Sequence, residues 1–213
     1  MNKRVAVVVL VATVLAAGAI LAPWWVISMG TFCGGVSLTL EFHLFGMARG
    51  VLGTCAPNEA YQVIYEDNAT GYVGAPAMQA VFLGGAVLTV AGTVCGVGMV
   101  ALSAIEDRKP RLRGSGLMFG AMATVLAFAA PLLVTALLPG AINQDSGFTS
   151  PFAGFWGTAP YPGGASSTLA WGAGMGWYLV LAAAFLFLVG SVVLYRDLGR
   201  PTKPASPPDP SSS

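Results

Sequence analysis

The residues able to do chemistry in this chain are few. Glu41 and His43 stand two apart in the segment Val36-Ser37-Leu38-Thr39-Leu40-Glu41-Phe42-His43-Leu44. With Glu59, Glu66 or Asp67 they could make a metal or acid–base site, because imidazole nitrogens and carboxylate oxygens both ligate metals and carry protons. The competing reading is that they are the water-facing residues of an alternating strand. The spacing favours that reading: His43 is the single histidine, and the carboxylates follow no recognised ligand interval. The cysteines, Cys33, Cys55 and Cys95, contain no CxxC pair. HExxH, GxSxG, GxxxxGK[ST] and a GxGxxG with an acidic partner are also missing from the sequence. No catalytic residue, metal ligand or cofactor is expected, and the chain is not expected to be an enzyme.

The elements that carry these residues follow from composition. Only 9% of residues are charged and 55% are hydrophobic, with a mean hydropathy of +0.73. A water-soluble domain carries about a quarter charged residues, so the expected solvent is the lipid bilayer. A net charge of +1 gives no bulk attraction for nucleic acid. Four uncharged apolar stretches, 5–27, 77–105, 117–142 and 169–195, each exceed the ~20 residues that cross ~30 Å of hydrocarbon. They are expected to be transmembrane helices, since lipid leaves the backbone no other way to satisfy its polar groups. The expected fold is a membrane all-α four-helix bundle with a small extracytoplasmic β-hairpin or meander in the first outer loop, 28–76. A basic link at 106–116, a second outer loop at 143–168 and a tail at 196–213 complete it.

Basic residues orient the chain. Lys3 and Arg4 precede the first stretch. Arg108, Lys109, Arg111 and Arg113 lie in the link, and Arg196, Arg200 and Lys203 follow the fourth stretch. Only Arg49 lies elsewhere. The positive-inside rule puts both termini in the cytoplasm, as expected for a multi-pass protein of the plasma (cytoplasmic) membrane. Trp24, Trp25, Trp171 and Trp177 fall at the outer ends of the stretches, where indoles anchor to the headgroup interface. Residues 1–25 also fit a cleaved signal peptide, with Ala17-Gly18-Ala19 as the small-residue site, which would leave three spans.

Within 28–76 the period-2 alternation over 36–44 predicts a strand with one buried face. A turn at Phe45-Gly46, a returning strand over 47–55 and a third over 61–65 complete the expected meander. Cys33 and Cys55 lie at equal distances from Leu44. A disulfide between them is expected on the oxidising side of the membrane. The second outer segment carries Phe148, Phe152, Phe155, Trp156 and Tyr161. These rings either cover the hairpin and dip into the headgroups or form an exposed patch.

In the helices, Thr13, Thr89, Thr93, Ser103, Thr124 and Thr135 are the polar groups, and each hydroxyl can bond back to its own backbone. GxxxG pairs occur at Gly92/Gly96, Gly116/Gly120 and Gly172/Gly176, the last two at helix starts. Such pairs let backbones approach closely, either within one bundle or between subunits. Pro131 is expected to kink the third helix.

The arrangement resembles the claudin and epithelial-membrane-protein superfamily. Trp24 or Trp25 matches that family's tryptophan near the end of helix one. Leu44-Phe45-Gly46 loosely echoes its Gly-Leu-Trp, and Cys33 and Cys55 supply a cysteine pair. Cys33 precedes the middle motif where the family's cysteines follow it. The resemblance implies a non-catalytic role in membrane organisation, adhesion or assembly as a homo-oligomer or with another membrane protein. The competing expectation is a pore or transporter subunit with a Thr/Ser-lined pathway.

Overall fold

The computed structural model describes residues 3–32, 36–45, 47–52, 60–64, 75–105, 114–146, 152–160 and 168–198. Four helices are present: α1 (Lys3–Leu21), α2 (Pro76–Ile105), α3 (Ser115–Ser146) and α4 (Met175–Leu198). Three of them are long and apolar enough to cross a membrane, over Pro76–Leu102, Ser115–Asp145 and Met175–Arg196; α1 contributes a shorter apolar stretch, Val5–Leu21. Contacts run in a ring: α1 packs on α2 and α4, and α3 packs on α2 and α4. The shared core is made of small and medium side chains, such as Ala12, Ala16, Ala123, Ala127, Ala183 and Ala184, with Phe187 among them.

The strands form one antiparallel sheet in the order β4-β3-β2-β1-β6-β5. They are β1 (Trp25–Phe32), β2 (Val36–Phe42), β3 (Met47–Leu52), β4 (Ala60–Ile64), β5 (Gly157–Pro160) and β6 (Thr168–Ala173). β2 forms where the alternation predicts a strand, and β3 and β4 fall at the expected returning strands, with Phe42 opposite Ala48 and Ala48 opposite Val63. Two parts of the sheet run against expectation. Trp25–Phe32 was expected to begin as helix, but it is the central strand. Residues 169–173 were expected to open the fourth helix, but they form β6 and pair with β1, Trp25 opposite Ala173 and Met29 opposite Leu169. Both elements are apolar and adjoin a helix, so hydropathy merges them with it.

The helix ends give the physical reason. Pro23 disfavours helical geometry at Ala22, so α1 stops at Leu21. The helix ends need partners for their orphan carbonyls and amides. Trp24 Nε1 donates to Ala19 O at 2.7 Å, and His43 Nδ1 lies 3.1 Å from Leu21 O. A carbonyl only accepts, so that ring nitrogen carries the proton. At the start of α4, Gly174 N donates to Trp24 O and Gly176 N to Pro23 O. One corner of the chain, residues 23–24, therefore terminates α1, starts β1 and caps α4.

The start of α2 is capped from a neighbour. Pro76 opens the helix, as proline does at a first helical position, and Ala75 before it has no capping side chain. Asp145, near the end of α3, fills the gap: its Oδ1 accepts from Ala77 N at 3.0 Å and its Oδ2 from Met78 N at 2.8 Å. The carboxylate also places negative charge at the positive end of the α2 dipole. Asp145→Ala is expected to cost about 1–2 kcal/mol and to speed hydrogen exchange at the Ala77 and Met78 amides. Asp145→Asn, with one acceptor left, should fall between. Unchanged exchange in the alanine variant would show that the cap is not formed. Gly114, at a φ of 108°, makes the turn into α3 in a conformation that L side chains rarely adopt.

α3 runs unbroken through both Pro131 and Pro139. The Pro131 carbonyl accepts from Thr135 Oγ1 at 2.7 Å and from Trp177 Nε1 at 3.3 Å.

Candidate functional site

The sheet joins the ends of α1 and α4 and meets α2 through Phe42 and Phe82. Register puts Trp25, Ile27, Leu40, Phe42, Leu169 and Trp171 on one face, and five of these six are buried. Trp25 meets Phe42 at 5.3 Å and Phe152 at 5.4 Å between ring centroids. Phe42 stacks on Phe82 of α2, and Leu44 is buried beside Gly85. Trp25 Nε1 donates to Phe155 O and Trp171 Nε1 to Gly154 O, so both buried indoles are satisfied. The opposite face carries Ser28, Thr39 and Glu41, with Glu41 directly opposite Arg49 and Arg49 opposite Gln62 along one row.

The segment between α3 and α4 thus does more than cover the hairpin. Phe152 packs against Trp25 and Trp171, the Phe155 ring packs against Trp156 and Trp177, and β5 and β6 extend the sheet beyond β1. Trp156 stays 51% exposed, edge-on to Phe155 and Trp177. Phe148 and Tyr161 lie outside the described residues.

The tryptophan anchors need correction. Trp24 and Trp25 are 0% and 1% exposed, and Trp171 is a buried strand residue. Their indoles face protein, because the chain turns into a sheet at the level where a simple helix end would meet headgroups. Trp177 is on α4, and its Nε1 donates to Thr135 Oγ1 at 3.0 Å.

The glycine pairs sort by contact. Gly92 lies against the α3 backbone near Ala123 and Ala127, and Gly96 faces Phe187 and Thr13. Gly120 abuts Met99 and the Ser191 hydroxyl, a buried group with no hydrogen-bond partner. Gly116 is buried. Gly172 is not at a helix start; it is in β6 under Trp156, and Gly176, in the first turn of α4, faces Trp24 and Ala19 O. Thr13, Thr89, Thr93, Thr124 and Thr135 each donate to the carbonyl four residues back.

Glu41 and His43 do not form a compact pair: His43 Nε2 is 4.0 Å from Glu41 Oε2, and the other ring nitrogen is bound to Leu21 O. Among the described residues no group of three or more His, Cys, Asp or Glu is placed to hold a metal ion. Cys33, Cys55, Glu59, Glu66 and Asp67 lie outside the described residues, and so does the expected disulfide. Cys95 is a free, half-buried thiol within α2.

The sequence reading missed the corner at residues 23–24 and the cap from Asp145. Pro23 was the available signal for the first. Asp145, an acid placed just past a long apolar stretch, was the signal for the second. No protein-family model matches the chain, and no curated protein matches it.

Proposed function

We propose that this chain is a non-catalytic four-pass protein of the plasma membrane, with both termini cytoplasmic. In this reading it displays a six-stranded sheet on the outer surface for contacts with other membrane proteins or with copies of itself. The observation that carries it is the sheet itself: strands from the α1–α2 and α3–α4 segments join in one layer, fastened to the ends of α1 and α4 at residues 23–24 and held together by Trp25 and Trp171 bonding to residues 154–155. His43, the single imidazole, is bound at the end of α1 through Leu21 O. Among the described residues the outermost strands, β4 and β5, each have one neighbour in the sheet, and such edges are where partners add strands.

Orientation is supported by the nine basic residues at the termini and in the α2–α3 link. The four-helix bundle is supported by the ring of helix contacts. A claudin-like architecture is supported by a sheet built between the first two helices. The hydroxyl protons of the five threonines are directed at their own helices, which favours packing over a polar pathway.

The test is native mass determination of the full chain in mild detergent, with identification of co-purifying proteins, and ion or solute flux into vesicles holding the purified chain. A homo-oligomer or a stoichiometric membrane partner is expected. Flux well above that of empty vesicles would instead favour the pore reading.

A further inference from the structure

The helices differ in length in a way that matters to lipid. Their ends are level on one side of the ring and stepped on the other. At the level end Met99, Gly120 and Ser191 meet, and Val9 meets Gly190. Each of these lies a similar number of residues from its own helix terminus. At the sheet end, Gly85 of α2 and Val134 of α3 sit beside Leu44 and Trp24, level with the end of α1. From there α2 continues to Pro76 and α3 to Ser146, about 14 and 18 Å further at 1.5 Å per residue.

The outward face of α2 is apolar from Ala80 to Val97. Ala80, Leu83, Val87, Val90, Val94 and Val97 recur at helical spacing and are exposed. The apolar span of α2, Pro76–Leu102, is 27 residues and about 40 Å long, against about 26 Å for the apolar stretch of α1, Val5–Leu21. A single tilt cannot match both to ~30 Å of hydrocarbon. Fitting α2 needs roughly 42°, at the limit of the observed ~0–40° range, and the same tilt would shrink α1 to about 19 Å.

We propose that this protein is a hydrophobic-thickness wedge: acyl chains of a locally thickened bilayer cover the upper apolar face of α2, while thinner lipid meets the α1 flank. The occupant is lipid because the face continues without a polar break from the central span of α2, where acyl chains already lie. The inference rests on the reading that the helices cross a bilayer. Its cost per ångström of mismatch is small, yet such differences sort proteins among membranes of unlike thickness.

The experiment uses the full chain carrying Ala80→Cys, Leu83→Cys, Leu21→Cys or Val94→Cys, each reconstituted in myristoleoyl, oleoyl and erucoyl phosphatidylcholine vesicles. A membrane-impermeant maleimide is added, and labelling is read by peptide mass spectrometry, which separates each site from the native cysteines. Labelling at residue 80 is expected to fall severalfold from the shortest to the longest lipid, while residue 21 remains labelled in the same vesicles. Leu83→Cys repeats the test where Ala80→Cys does not fold. Labelling at 80 in every lipid would place the face in water and overturn the proposal. Protection at 80 in every lipid would mean a second copy or another protein covers it. Protection of residue 21 together with residue 80 would remove the gradient. Labelling of Val94→Cys would overturn the membrane reading itself.

Discussion

Trp24→Ala is expected to be among the most damaging single substitutions in this protein, costing about 3–5 kcal/mol. The indole is fully buried, and its loss leaves a cavity where α1, α4 and the sheet meet. It also strips the Ala19 carbonyl of its donor. An unsatisfied buried acceptor adds about 1–3 kcal/mol. Trp24→Phe separates the two contributions, since it keeps most of the ring volume and loses the N–H. It should retain the fold at a cost nearer the hydrogen-bond figure. The measurement is thermal unfolding in detergent, followed by near-ultraviolet circular dichroism. Equal losses for Phe and Ala would mean that the hydrogen bond, not the volume, dominates. No loss for Ala would remove the corner from its structural role.

Gly174→Ala is expected to rank next. A Cβ there would meet Pro23 O at 2.4 Å and Pro23 C at 2.8 Å. These are backbone atoms, and Pro23 O also caps α4 by accepting from Gly176 N. They cannot swing aside as a side chain can. A loss of about 1–3 kcal/mol is expected, toward the upper end. Gly18→Ala and Gly140→Ala are the contrast: nothing lies within 4 Å of a Cβ at either position. Each should be neutral or stabilising by up to ~1 kcal/mol from helix propensity. Comparable melting temperatures for all three variants would contradict the close approach at residue 174.

These two positions also mark the boundary of what the sequence reveals. β2 is legible because apolar and polar residues alternate from Val36 to Phe42, the period of a strand with one buried face. β1 and β6 are not legible in that way. Trp25–Phe32 and Thr168–Ala173 have their neighbours on both sides in the sheet and follow or precede an apolar helix. A short continuous apolar run does not distinguish strand from helix by period. Pro23 and Gly174 are the residues that divide strand from helix, and each is a single punctuation mark in a long hydrophobic run. The roles of Trp24 and Trp25 were misjudged for a related reason. Tryptophan at the end of a span suits a headgroup belt and a buried corner equally well, and only the path of the chain decides. The Asp145 cap joins residues far apart in sequence, on two helices whose pairing hydropathy does not give. The helix-bound threonines were legible, because a hydroxyl in an apolar helix has its own backbone as the nearest acceptor.

The central place of β1 has a consequence for how the protein is made. One neighbour, β2, follows almost at once during synthesis. The other, β6, supplies Ala170 opposite Ser28, 142 residues later. At about 5–20 residues per second, the ribosome delivers that partner roughly seven to thirty seconds after β1 emerges. For that interval the nascent chain carries an apolar strand with an open side, a period in which a holding factor or a neighbouring nascent chain can compete for it.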